Sequence, residues 1–148
     1  MTRADIVARA RQELGVKWQH QARLSGVALD CVGLVGVVAI ACGVPNGEEW
    51  LADEALKRYG RPPRPDVLLA GARKYLDEIP VGEALEGDIL VLAHQKHPQT
   101  PTHFAQVTQV APRYVIHAEY FAGRVVENNL PEGGRWFPTH AFRFRGLA

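Results

Sequence analysis

Between Asp30 and Gly43 the chain reads CVGLVGVVAIAC, twelve residues without a charge. Asp30 can accept from the free N–H groups of a first helical turn, and Gly43-Val44-Pro45 is a stop signal, so the segment reads as a helix. Its β-branched content also allows a strand over VGVVAIA, but a cap at one end and a stop at the other favour the helix. Apolar side chains occur all round it, so it offers no face to water and the rest of the chain has to enclose it. It is too short to span a bilayer, which takes about 20 apolar residues, and no run of that kind occurs elsewhere, so no membrane insertion is expected. Gly33 and Gly36 would each cost about 1 kcal/mol relative to alanine in an exposed helix. They are expected to admit another element at close range.

The remaining pattern supplies the enclosure. Residues 2–14 form a first helix, with Thr2 as cap, Asp5 at its positive end, a stripe of Ile6, Ala10 and Leu14, and Gly15 as terminator. Residues 16–29 read as an irregular loop. Residues 48–58 make a short amphipathic helix, residues 60–65 break the chain, and residues 66–76 form another helix. From Gly82 onward the texture changes to strands over residues 88–93, 104–110, 114–119 and 124–128. Residues 94–102, with two prolines, form a loop beside the second of these. Near the end, Phe142 and Phe144 alternate with Ala141, Arg143 and Arg145, as in a final strand that closes the core. A docking surface built from Trp136, Phe137, Phe142 and Phe144 is the competing reading. Helices followed by strands give an α+β class, with N-terminal helices packed on a central antiparallel sheet.

The 148 residues fit one domain, residues 1–148, without repeat, low-complexity tract or linker. A net charge of +1 leaves no basic field to recruit nucleic acid. The opening Met-Thr-Arg-Ala-Asp is charged and helical in pattern, unlike a signal peptide, so synthesis in the cytoplasm is expected.

Two cysteines are present, Cys31 and Cys42. Eleven positions apart on one helix, they lie roughly 16 Å from each other, too far for a disulfide. Cys42 reads as a small buried hydrophobe. Cys31 sits in the first helical turn, where the helix dipole lowers a thiol pKa and free N–H groups can hold an oxyanion. The alternative is a small residue merely filling the core. Of the six histidines, His103 and His117 fall on strands, which are rigid platforms for a base and its orienting partner. A three-residue loop centred on Pro112, pairing Val110 with Tyr114, would put both on one sheet face. Each could instead be an ordinary satisfied polar residue. His94, His97 and His103 satisfy no zinc-ligand spacing, so no metal and no cofactor is expected. His20 lies in the loop before Cys31 and could line a site, and His140 reads as surface.

These segments together resemble a known family. LDCVGLVGV resembles the Asp-Cys-x-Gly-Leu/Phe-Val signature of the NlpC family of cell-wall peptidases. EGDILVL resembles its Gly-Asp strand, HFAQVTQV its strand opening with the base histidine, and YVIHAEYFAGRVVE its strand bearing the third polar residue. Order and spacing match across residues 18–128. The loop WQHQARLSGVALDC and the C-terminal phrase HAFRFRG resemble a subgroup encoded with phage tails and gene-transfer particles.

The resemblance implies a papain-like fold, with the nucleophile at the N-terminus of a buried helix, and hydrolysis of peptide bonds in peptidoglycan stems. It implies Cys31 as nucleophile, His103 as general base and His117 as orienting residue, with Asp30 capping the helix and bracing the loop. Trp18 stands where the family commonly has a tyrosine near the oxyanion. Its indole N–H either donates there or only packs. His20 and Gln21 match the subgroup's loop and would line the cleft. Peptidoglycan and phage tail-tip proteins are the implied partners, and the virion the implied location. The competing readings are a structural tail-tip component or assembly factor with an unused site, and an amidase or acyl-transfer reaction on the same fold. Selective thiol labelling of Cys31 over Cys42 is the behaviour expected of the enzyme.

Overall fold

The computed structural model describes residues 1–57 and 64–148. The central apolar segment is a helix, α2 (Cys31–Ala41), ended by Cys42 and by Gly43 at φ +69°. It packs against α1 (Arg3–Arg11), α3 (Gly47–Ala52) and the sheet, while α4 (Glu54–Lys57) joins α3 to α5 (Pro65–Tyr75), which packs on the sheet. The sheet contains β1 (Lys17–Trp18), β2 (Arg23–Leu24), β3 (Ala28–Leu29), β4 (Asp77–Ile79), β5 (Ile89–His94), β6 (Pro101–Gln109), β7 (Tyr114–Glu119), β8 (Arg124–Asn129) and β9 (Trp136–Arg143). Their order is β2-β3-β1-β8-β7-β6-β5-β9-β4, antiparallel throughout except for the short β1–β3 pair. This is the α+β arrangement expected from the sequence.

The run Ile89-Leu90-Val91-Leu92-Ala93 is apolar at every position because β5 is covered on both faces. Ile89 and Val91 join Val32, Leu34, Val35, Trp50, Phe104 and Phe142 in the core shared with the helices. Leu90 and Leu92 join Ala105, Val107, Val115 and Ala141 in a second core on the other face. Each such side chain contributes about 1.5–3 kcal/mol on burial, as an upper figure. Asp88, fully buried just before β5, holds the assembly at its edge. It accepts from Arg143 at 2.7 and 3.0 Å, from Arg3 at 3.0 Å and from the Leu85 N–H at 2.9 Å.

The helix glycines admit close neighbours. A Cβ on Gly33 would stand 2.3 Å from the Ala22 carbonyl oxygen, and one on Gly36 would stand 2.2 Å from Leu51 Cδ2.

Several boundaries differ from expectation. The first helix has its Thr2–Asp5 capping box but ends at Arg11, and Leu14 is exposed beyond it, outside the Ile6–Ala10 stripe. Residues 16–29 are not wholly irregular: they contain three two-residue strands, paired among themselves and, through Lys17, with Arg124 of β8. The expected helix over residues 48–58 is two helices, the second capped by Asp53 through the Ala55 and Leu56 N–H groups. Its last residue and the break at 60–63 lie outside the described residues. Pro65 is the first residue of α5 rather than part of that break, a position where its missing N–H costs nothing. The C-terminal aromatics resolve in favour of the closing strand: Phe142 and Phe144 are buried, which removes them from any docking surface.

Candidate active site

Asp30 builds the helix end from its own side chain. One carboxylate oxygen accepts from the Gly33 N–H at 2.7 Å, and the other accepts from the Gln21 N–H at 2.8 Å. The Asp30 N–H donates to the Ala22 carbonyl at 3.0 Å. Gln21 takes a left-handed φ of 60° where its N–H turns to the carboxylate. These three bonds, and the missing Cβ of Gly33, press residues 19–24 against the first turn of α2, beside Cys31. Burial raises the Asp30 pKa to about 6, against the opposing effect of the Gly33 N–H and of nearby Arg23.

The strands supply the other wall. Along β6, odd-numbered N–H groups face β5, as the Val107 N–H to Asp88 carbonyl bond shows. Even-numbered ones face β7. Gln106 pairs with Ile116 on β7. The described β6–β7 ladder stops there, while β6 continues to pair with β5 as far as Pro101. The Phe104 N–H, one residue along from His103, is close enough to the Cys31 sulfur to favour its thiolate.

His103 and His117 do share a face, with Val107 and Val115, but not through the expected turn. Gln109, not Val110, pairs with Tyr114. That alone would turn the histidines to opposite faces. Thr108 forms a bulge, so that Val107 returns to pairing with Val115 and the common face is restored. The two imidazoles meet at 2.8 Å, His103 Nε2 to His117 Nδ1. His117 Nε2 in turn lies 2.9 Å from Asn128 Oδ1 on β8. Trp136 stacks on His103 with ring centroids 4.8 Å apart and 26° between planes. Neither Asn128 nor Trp136 was singled out as a site residue from the sequence. An asparagine at a strand end and a tryptophan opening the last strand carry no local signal of a site.

The electrostatics overturn one expectation. Cys31 is 6% exposed and His103 7%. Burial pushes the Cys31 thiol up to about 12, and the Asp30 carboxylate adds to this. The N–H groups of Phe104, Val32 and Cys31 favour the thiolate but do not prevail, so the helix end does not produce a lowered thiol pKa. Burial also holds His103 well below the ordinary 6.5, with His117 alongside adding to it. His117 is lowered by burial, against Asn128 and Glu119. At neutral pH the thiol and both imidazoles therefore rest neutral.

This changes what a thiol probe should report. Cys42 is half-buried rather than enclosed, and its sulfur lies 3.8 Å from the Asp5 carbonyl. Enclosed and with its thiol pushed up by burial, Cys31 should react with iodoacetamide more slowly than the half-buried Cys42. Peptide mapping by mass spectrometry after timed alkylation checks this, and faster labelling of Cys31 would contradict the buried neutral thiol.

The other expected site residues are placed as follows. Trp18 is half-buried and packs edge-on against Tyr120 at 5.1 Å. His20 is half-buried in the turn after β1, one residue before the Gln21 N–H that Asp30 holds. His94 leans on Trp136 at 5.3 Å, with His97 at 6.5 Å. Among the described residues no group of three His, Cys, Asp or Glu side chains is disposed to hold a metal ion. His140 is half-buried and bonds Thr139.

Neither a protein-family model nor a curated protein matches the sequence. Solved structures do match the fold. NlpC1 from Trichomonas vaginalis superposes with a TM-score of 0.64 at 16% identity, over 94% of this chain and 42% of that one. The NlpC/p60 domain of peptidoglycan hydrolase SagA superposes with a TM-score of 0.62 at 19% identity, over 97% of this chain and 100% of that one. This is the fold of NlpC/p60 domains. An N-acetylmuramoyl-L-alanine amidase from Bacteroides uniformis has it too, with a TM-score of 0.61 at 13% identity, over 97% of this chain and 98% of that one. The chain spans less than half the length of the Trichomonas protein.

Proposed function

We propose that this chain is a cysteine hydrolase that cleaves amide bonds in peptidoglycan stem peptides. The observation that carries the reading is the His103–His117 pair, bonded at 2.8 Å on one face of the sheet, with the N–H of Phe104, the residue after His103, close enough to the Cys31 sulfur to favour its thiolate. The NlpC/p60 fold, shared with a peptidoglycan hydrolase and a muramoyl amidase, supports the substrate class.

In this reading His103 Nδ1, the ring nitrogen not engaged by His117, takes the thiol proton as the Cys31 sulfur attacks the scissile carbonyl. Proton transfer accompanies the attack, because thiol and imidazole are both neutral at rest. The Cys31 N–H at the helix end holds the developing oxyanion. His103 returns the proton to the leaving amine, and water releases the acyl group from sulfur. Asp30 acts on structure, through the cap and the loop, and His117 orients the base. Trp18 brings no hydroxyl to the oxyanion.

The resemblance of residues 18–31 and of the phrase HAFRFRG to tail-encoded proteins further leads us to propose a setting. The protein would be made in the bacterial cytoplasm and carried at a phage tail tip, where it would open the wall during DNA entry. A second reading draws on the burial of Cys31: a structural tail-tip component whose site is unused.

Digestion of purified peptidoglycan, with mass analysis of the released fragments, tests the activity. New amino termini inside stem peptides, with glycans intact, are expected. Stems freed whole from muramic acid would assign amidase chemistry instead. No release from any wall type would favour the structural reading.

A further inference from the structure

We propose that Asn128 is a positioning residue: its carbonyl oxygen sets the direction of the protons along Asn128–His117–His103, so that His103 Nδ1 keeps its lone pair free to act as base. The inference rests on the assignment of Cys31 and His103 as nucleophile and base.

A neutral imidazole has one donor nitrogen and one acceptor nitrogen. A carbonyl oxygen only accepts. His117 Nε2, 2.9 Å from Asn128 Oδ1, therefore carries the proton. His117 Nδ1 is then an acceptor, and its 2.8 Å partner, His103 Nε2, must be the donor. The remaining nitrogen, His103 Nδ1, is left with its lone pair. One acceptor at the end of the chain thus determines both tautomers. The reverse order, with His117 Nδ1 donating to His103 Nε2, would put a proton on His103 Nδ1 and leave no base for the thiol.

The sheet register explains why Asn128 can do this. Val126 stands opposite His117 on β8, and Asn128, opposite Val115, is two residues along on the same face. Diagonal neighbours of this kind lie within reach of side chains as long as asparagine and histidine. The histidines are buried and held neutral, and among the described residues the one side-chain bond on His117 besides His103 is that to Asn128, with Glu119 acting on it through space.

The test is made on the intact chain, with two variants. Long-range proton–nitrogen correlation spectra of the histidine rings at pH 7.5 read the tautomers whether or not catalysis occurs. Both histidines should carry the proton on Nε2 in the natural protein and in Asn128→Asp, whose oxygens only accept. Asn128→Leu should show a mixture that includes the Nδ1-protonated form. In peptidoglycan hydrolysis, kcat of Asn128→Leu should fall by about 100-fold with KM little changed, and Asn128→Asp should recover most of the loss. Ring spectra of Asn128→Leu identical to those of the natural protein would overturn the inference, as would a proton on His103 Nδ1 in the natural protein. Failure of the underlying assignment shows separately, as hydrolysis that survives loss of the Cys31 sulfur.

Discussion

Replacing Cys31 with alanine is expected to abolish release of fragments from purified peptidoglycan while the protein keeps its fold. The hydrolysis proposed above needs a nucleophile at the end of α2, and Cys42, at the opposite end of the same helix, cannot replace it. Loss of a covalent nucleophile lowers turnover by about 10⁴-fold or more in comparable enzymes, since what survives comes only from binding and oxyanion contacts. The structural cost is small. Cys31 packs as a minor apolar residue at the margin of the core, and alanine removes one sulfur at a cost of about 1 kcal/mol. Circular dichroism and a denaturant melt verify the fold, and mass analysis of the digest measures activity. Fragment release by a folded Cys31→Ala protein would remove the sulfur from the reaction.

Gly33→Ala is the second large effect, and it acts through the backbone. The new Cβ would meet the Ala22 carbonyl oxygen at 2.3 Å, and the Arg23 Cα at 3.2 Å. Neither neighbour is a flexible side-chain end that can swing aside. The strand pair and the Asp30 bonds hold this stretch in place, so either the loop lifts or the first turn of α2 unwinds. Alanine's better helix propensity returns about 1 kcal/mol, and overpacking against a backbone outweighs it, for a net loss of about 1–3 kcal/mol. Activity should fall further than stability alone explains, by about 100-fold, because Cys31 lies two residues from the collision and displacement of reacting groups by an ångström has that effect. Gly36→Ala is the control. Its Cβ would strike the side chains of Leu51 and Trp50, and the Leu51 end can rotate. A denaturant series on both variants, with turnover measured on the folded fraction, checks the contrast. Equal stability of Gly33→Ala and the natural protein would show that residues 19–24 are not held against the helix.

The helix end, the α+β class and the two histidine strands were all legible, and the reasons are local. A cap at Asp30, an apolar run and a Gly-Val-Pro stop act within a few residues of one another. The β-branched pair Val115-Ile116 in β7 is a local signal, and the bounds of the strand fell where expected. The short strands β1, β2 and β3 were not legible, since two-residue strands exist only by virtue of their partners. The turn before β7 was also misread, and only the Thr108 bulge preserved the face shared by His103 and His117.

The sequence by itself determined a buried helix with a cysteine in its first turn, and a sheet whose strands carry two histidines, because periodicity and capping are properties of adjacent residues. Tertiary structure alone decided the rest: that the two imidazoles touch, that Asn128 ends their hydrogen-bonded chain, that Trp136 covers the base, and that the thiol rests neutral. Those outcomes depend on strand register and on the water removed when distant segments close over one another, and both arise only through space.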